Sequence, residues 1–177
     1  MKVLGLLRHA KSDFDDLALR DFDRGLNQRG RRGAAAIGAH ARVLGLAWDR
    51  VLASPAERVR ATLAASNLGG TVQFDERLYL ADAAMLISVL REAGPEPERI
   101  MLAGHNPGLH ELVFRLVGPE QENALFEEAS EKFPTATLAV LELDIDDWGD
   151  FSAGCGTLIH FVRPRDLDPA LGPERPG

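Results

Sequence analysis

Two histidines and two arginines in this chain are placed where they could handle a phosphoryl group. His9 directly follows Arg8, and both come straight after the apolar run Lys2–Leu7. Arg58 closes the segment Ser54-Pro55-Ala56-Glu57-Arg58, and His105 lies in Gly104-His105-Asn106-Pro107. Arginine carries a planar fork of donors that matches phosphate oxygens and stays charged at any working pH. A neutral imidazole in such a site can act as a nucleophile. Phosphoryl transfer asks mainly for positioning and for neutralisation of developing charge. Two guanidinium groups can supply that neutralisation, so neither a metal nor a cofactor is expected.

These residues are useful only if separate elements bring them together. The run Lys2–Leu7 has the character of a buried parallel strand, and Asp49–Ala53 and Arg99–Ala103 are two more. Each of the three motifs follows one of these strands. Helical spacing covers Asn27–Leu46 and Asp82–Ala93. A third helix is expected from Ser54, with Ser54 as N-cap, Pro55 in the first turn and Glu57 closing a capping box, running to about Leu68. A fourth opens at Asn106-Pro107, with Asn106 as cap, and runs to about Val117. Thr71–Phe74, Thr137–Leu143 and Thr157–Val162 complete the strands. Strands alternating with helices predict a three-layer α/β/α sandwich with a mostly parallel central sheet. In such sheets ligands bind beyond the carboxyl ends of the strands, where all three motifs would then meet. The helix N-termini at Ser54 and Asn106 would add free N–H groups to an anion site.

The segment Leu7-Arg8-His9-Ala10-Lys11-Ser12 resembles the RHG/RHA signature of the histidine phosphatase superfamily, which includes the cofactor-dependent phosphoglycerate mutases. Ser54-Pro55-Ala56-Glu57-Arg58 is similar to its SPxxR motif, and Gly104-His105-Asn106-Pro107 to its second histidine motif. Asp21-x-Asp23-Arg24, Leu26-Asn27 and Phe133-Pro134-Thr135 resemble more narrowly the SixA type, the compact phosphohistidine phosphatases. The resemblance spans residues 2–162. It implies a phosphoglycerate mutase-like fold and a phosphatase in which His9 carries a phosphohistidine intermediate. Arg8, Arg58 and His105 would hold the phosphoryl oxygens, and water would release phosphate. Ser12 and Asn106 are candidate substrate contacts. The implied substrate is protein phosphohistidine, such as the phosphotransfer domains of bacterial signalling proteins.

Two departures bear on that substrate. Many family members carry a glutamate acid where aligning on Asp75-Glu76-Arg77-Leu78 puts Leu80, and Asp15 stands where some have an asparagine. An alkoxide leaving group needs a proton, whereas imidazole leaves readily from a phosphoramidate. Asp13, Asp15 and Asp82 remain as other possible acids. A small-molecule phosphomonoesterase of the same superfamily and a non-catalytic phosphate-binding module are the alternatives.

Composition narrows the class further. The chain has 177 residues, 45% hydrophobic and 27% charged, which suits one soluble globular domain. Residues 1–165 are expected to form that domain, followed by a proline-rich tail over 166–177 whose end is disordered or loosely draped. The net charge of −7 speaks against broad nucleic-acid binding, though a pocket can be locally positive on an acidic protein. The one cysteine, Cys155, excludes an internal disulfide and is expected to be a buried structural thiol. Only five residues separate Lys2 from Arg8, too few for a signal-peptide core, so the expected location is cytoplasmic with no membrane contact. His105 and His110 are five apart, the wrong spacing for a helical metal pair. Oligomeric state and pathway are left open.

Overall fold

A computed structural model describes residues 1–173. The order of elements is β1 (Lys2–Arg8), α1 (Gln28–Val43), β2 (Arg50–Ala53), α2 (Glu57–Ser66), β3 (Thr71–Phe74) and α3 (Ala83–Arg91). There follow β4 (Arg99–Gly104), α4 (Gly108–Leu116), α5 (Ala124–Glu131), β5 (Leu138–Leu143), β6 (Gly156–Val162) and the short α6 (Pro164–Leu167). The six strands form one sheet in the order β3-β2-β4-β1-β5-β6. The first four are mutually parallel, and β5 and β6 run antiparallel at one edge.

Both faces of the inner strands are covered, which is why they read as continuous apolar runs, while the edge strand β3 is exposed along its length. Leu4, Leu6, Ile100 and Leu102 face one core, which α3, α4 and α5 close with Leu86, Leu90, Leu109, Leu112 and Phe126. Leu7, Val51, Met101 and Val140 face the other, closed by Ile37 and Ala41 of α1 and Val59 of α2. The architecture is the expected α/β/α sandwich of phosphoglycerate mutase-like proteins.

Local chemistry explains most boundaries. Asn27 caps α1 by accepting from the Gly30 N–H, and Asp82 caps α3 by accepting from Met85 N–H. Asn123 does the same for α5. The start of α2 departs from expectation. The helix begins at Glu57, Ala56 occupies the cap position without a side-chain bond, and no capping box forms. Ser54 lies two residues earlier, where its hydroxyl is drawn toward His105. The far end also falls short of Leu68, because Asn67 adopts a left-handed conformation that stops the helix. Pro107, not Asn106, holds the cap position of α4. Cys155 is half-buried, not buried as expected.

The chain after β6, including the start of the proline-rich tail, folds back onto α1. Pro164 of α6 packs against Gly33 of α1, and Arg29 donates to the Gly172 carbonyl at 3.2 Å. The tail's end, residues 174–177, lies outside the described residues. Among the described residues no helix is long and apolar enough to cross a membrane.

Candidate active site

The adjacent parallel strands β2, β4 and β1 end level with one another. Arg8 pairs with Gly104, and Ala53 with Ala103. Two backbone bonds continue the ladder past the strand ends: His9 N–H donates to Gly104 O and Ser54 N–H to Ala103 O, both at 3.0 Å. The three motifs therefore meet at one edge of the sheet. The His9 and His105 rings lie 5.4 Å apart between centroids.

His9 is 9% exposed, and its Nδ1 lies 2.8 Å from the Ala10 carbonyl. A carbonyl can only accept, so Nδ1 carries the proton and the Nε2 lone pair is left free. Burial, reinforced by the charges of Arg58 and Arg8, lowers the His9 pKa to about 4, against a smaller opposing effect of the Ala10 bond. The ring is neutral at physiological pH. Ala10 is fixed in turn, since its N–H donates to Thr62 Oγ1 at 2.9 Å while that hydroxyl donates to Arg58 O at 2.6 Å.

His105 is 3% exposed. Arg58 Nη2 donates to its Nδ1 at 3.3 Å, so the proton sits on Nε2, which donates to Ser54 Oγ at 2.7 Å. Burial and then the Arg58 charge lower its pKa to about 3. Ser54, expected as a helix cap, instead orients this histidine.

Arg58 is 5% exposed and is held by Asp21, an unexpected member of the group. Its Nη1 donates to Asp21 O at 2.8 Å and its Nη2 to Asp21 Oδ2 at 3.0 Å. The Tyr79 hydroxyl donates to the same carboxylate oxygen. Tyr79 stands edge-on to His105 and to Phe22. The bonds from Tyr79 and Arg58 hold the Asp21 carboxyl below its usual range, so it is ionised. Asp21 lies in a stretch noted in the sequence for its resemblance alone, and Tyr79 directly precedes Leu80.

Arg8 points its Nη1 at the Phe133 carbonyl, 3.0 Å away, and its buried Nε has no partner among the described residues. The Asn106 amide is committed on both sides: Nδ2 donates to Phe133 O at 2.8 Å, and Oδ1 accepts from His110 N–H at 3.2 Å. Ser12 is buried at the base of the loop, its backbone bridging to Leu26. Leu80 is 55% exposed and has φ +51°. Asp82 is occupied in capping α3, and Asp13 accepts from the Asp15 N–H within the loop. Among the described residues no three histidine, cysteine or acidic side chains gather as metal ligands.

The family model of the histidine phosphatase superfamily (branch 1) matches residues 4–80. The SixA structure of Agrobacterium tumefaciens is 31% identical, covers 92% of this chain and 98% of its own, and superposes with a TM-score of 0.77. The chain belongs to the histidine phosphatase superfamily. Within it the chain is of the SixA type, and it is a phosphatase. The SixA structure of Nakamurella multipartitia superposes with a TM-score of 0.82 at 27% identity, over 92% of this chain and 96% of that one. An uncharacterized protein of Mycobacterium tuberculosis is 36% identical over 160 residues, 90% of this chain and all of its own.

Proposed function

We propose that this phosphatase hydrolyses protein phosphohistidine, without a metal, through a phosphoryl group carried on His9. The observation that carries the reading is the free Nε2 of His9. It is neutral, buried and fixed by Ala10, with two guanidinium groups and a second histidine beside it.

In the first step His9 Nε2 attacks phosphorus and a P–N bond forms. The bond from phosphorus to the leaving imidazole breaks, and that imidazole takes a proton from solvent. Water then attacks the phosphoryl group on His9, releasing inorganic phosphate and restoring the neutral ring. Arg8 and Arg58 neutralise the equatorial oxygens in both steps, and His105, itself neutral, helps hold them by turning its Nε2–H from Ser54 to a phosphoryl oxygen. Ser12 lines the phosphoryl-binding loop. Asn106 acts from behind, holding the Phe133 carbonyl that Arg8 also grips.

The substrate class rests on the leaving group. Asp21 is the carboxylate that reaches the cluster, and it is ionised and doubly bonded, which makes it a poor acid. With Leu80 where an acid could stand, a leaving group that needs little protonation is favoured. The two SixA relatives are themselves proposed, not demonstrated, phosphohistidine phosphatases. The half-buried free Cys155 suits a reducing compartment, and we place the activity in the cytoplasm, in phosphohistidine signalling.

Rapid quenching without acid, after mixing with a radiolabelled phosphohistidine protein, tests the mechanism. The label is expected on His9, and His9→Ala is expected to lose both label and turnover. No adduct together with unchanged turnover in His9→Ala would refute the nucleophile. The leaving-group argument has its own check: phenyl phosphates should be hydrolysed and alkyl phosphates poorly, and equal rates for the two would favour a general phosphomonoesterase.

A further inference from the structure

The Phe133 carbonyl braces Arg8, while the side chains of Phe133-Pro134-Thr135 take no part in the chemistry above and form one wall of a cleft of about 250 Å³. The opposite walls are the first turns of α1 and the folded-back chain after β6. Six cationic side chains line the cleft: Arg8, Lys11, Arg29, Lys132, Arg163 and Arg165. No acidic side chain lines it among the described residues, although the whole chain carries −7. Three of the six have tasks: Arg8 holds Phe133 O, Arg29 holds Gly172 O, and Arg163 pairs with Asp166 at 3.0 Å. Lys11, Lys132 and Arg165 have no carboxylate within salt-bridge reach among the described residues. Between the charges the surface is apolar, from Phe133, Pro134, Pro164 and Leu171. Arg8 belongs both to this cleft and to the cluster around His9.

We propose that the cleft binds an acidic, partly apolar peptide segment of the phosphoprotein substrate, next to the phosphohistidine that His9 attacks. The proposal rests on the phosphohistidine reading for its catalytic role, but not for binding itself. A chain of carboxylates interrupted by small apolar residues matches cations set in an apolar wall, and continuity through Arg8 joins the segment to the phosphoryl site. Opposite charge at such a rim contributes chiefly to encounter and register.

The test uses the full chain and a fluorescein-labelled peptide of alternating glutamate and alanine, followed by anisotropy. The wild type should bind it, more weakly as salt rises. Lys132→Ala combined with Arg165→Ala should weaken binding about fivefold, with the thermal midpoint unchanged. Lys132→Glu with Arg165→Glu should abolish binding of the acidic peptide. In turnover, the alanine pair should raise KM for a phosphohistidine protein and leave nitrophenyl phosphate hydrolysis unaffected. Equal peptide affinity in wild type and the alanine pair would overturn the proposal. So would binding of pyrophosphate, but not of the peptide, which would make the cleft a small-anion site. Failure of the wild type to hydrolyse any phosphohistidine protein, with peptide binding intact and charge-dependent, would count against the substrate reading and not against the cleft.

Discussion

At His9 a single backbone carbonyl decides the chemistry. An imidazole with its lone pair on Nδ1 would aim it at the Ala10 oxygen, so the 2.8 Å contact selects the tautomer with Nε2 unprotonated. Nitrogen NMR of the imidazoles should therefore show His9 as the Nδ1–H tautomer and His105 as the Nε2–H tautomer, both unchanged from pH 8 to pH 5.5. A titration of either ring near the ordinary value of about 6.5 would contradict the burial argument. Asp21 sets a second expectation. Its carboxylate holds Arg58 in place but also competes for it with any incoming anion. Asp21→Asn removes the competing charge and keeps the shape, so inorganic phosphate should inhibit the variant at lower concentration than the wild type.

The elements act on the site through a few close contacts. Thr62 of α2 ties the Ala10 peptide to the helix that carries Arg58. Thr62→Val would leave the Ala10 N–H buried without a partner, at about 1–3 kcal/mol. Because the carbonyl of the same residue holds the His9 ring, kcat should fall by about tenfold, with a smaller change in KM. Denaturant unfolding and steady-state kinetics of the same variant check both halves. α1 meets the loop more tightly still. A Cβ at Gly30 would stand 2.2 Å from the Lys11 carbonyl, whereas one at Gly33 would meet Pro164 at 3.5 Å. Gly30→Ala should therefore destabilise by about 2 kcal/mol or more and displace the loop after His9. Gly33→Ala, in ordinary contact, should be neutral or stabilise by up to ~1 kcal/mol through helix propensity. Equal effects of the two substitutions would remove the packing explanation.

Across the whole molecule the two neutral histidines link activity to acid stability. Each has a folded pKa below its unfolded value, about 4 for His9 and about 3 for His105. Between pH 6.5 and pH 4 the unfolded chain takes up protons that the folded chain refuses. Stability present above pH 6.5 is thus lost progressively as pH falls, by an amount on the order of a few kcal/mol for the pair. Urea midpoints measured from pH 7.5 to pH 4.5 should fall steadily. In a variant with both histidines replaced by phenylalanine the slope over that range should be shallower, and an unchanged slope would assign the acid sensitivity elsewhere.

The division between sequence and tertiary structure follows from the range of the interactions involved. Apolar runs, turn glycines and the residues that follow each strand are local signals. They were enough to give the α/β/α sandwich and to place Arg8–His9, Arg58 and His105 at the ends of three strands. What each side chain does at that edge depends on contacts between segments far apart in the chain. Ser54 has the local signature of a helix cap, and only the arrival of His105 on the neighbouring strand diverts its hydroxyl. Asp21 and Tyr79 are 58 positions apart, with no local pattern tying either to Arg58. The cationic cleft joins α1, the turn before β5 and the chain after β6, three stretches whose charges look unremarkable one at a time. The residue types and their order therefore determined which chemistry was available, because strand ends are set by short-range pattern. The His9 tautomer is set by its chain neighbour Ala10, but the packing of distant segments decided the tautomer of His105 and which groups surround the two rings.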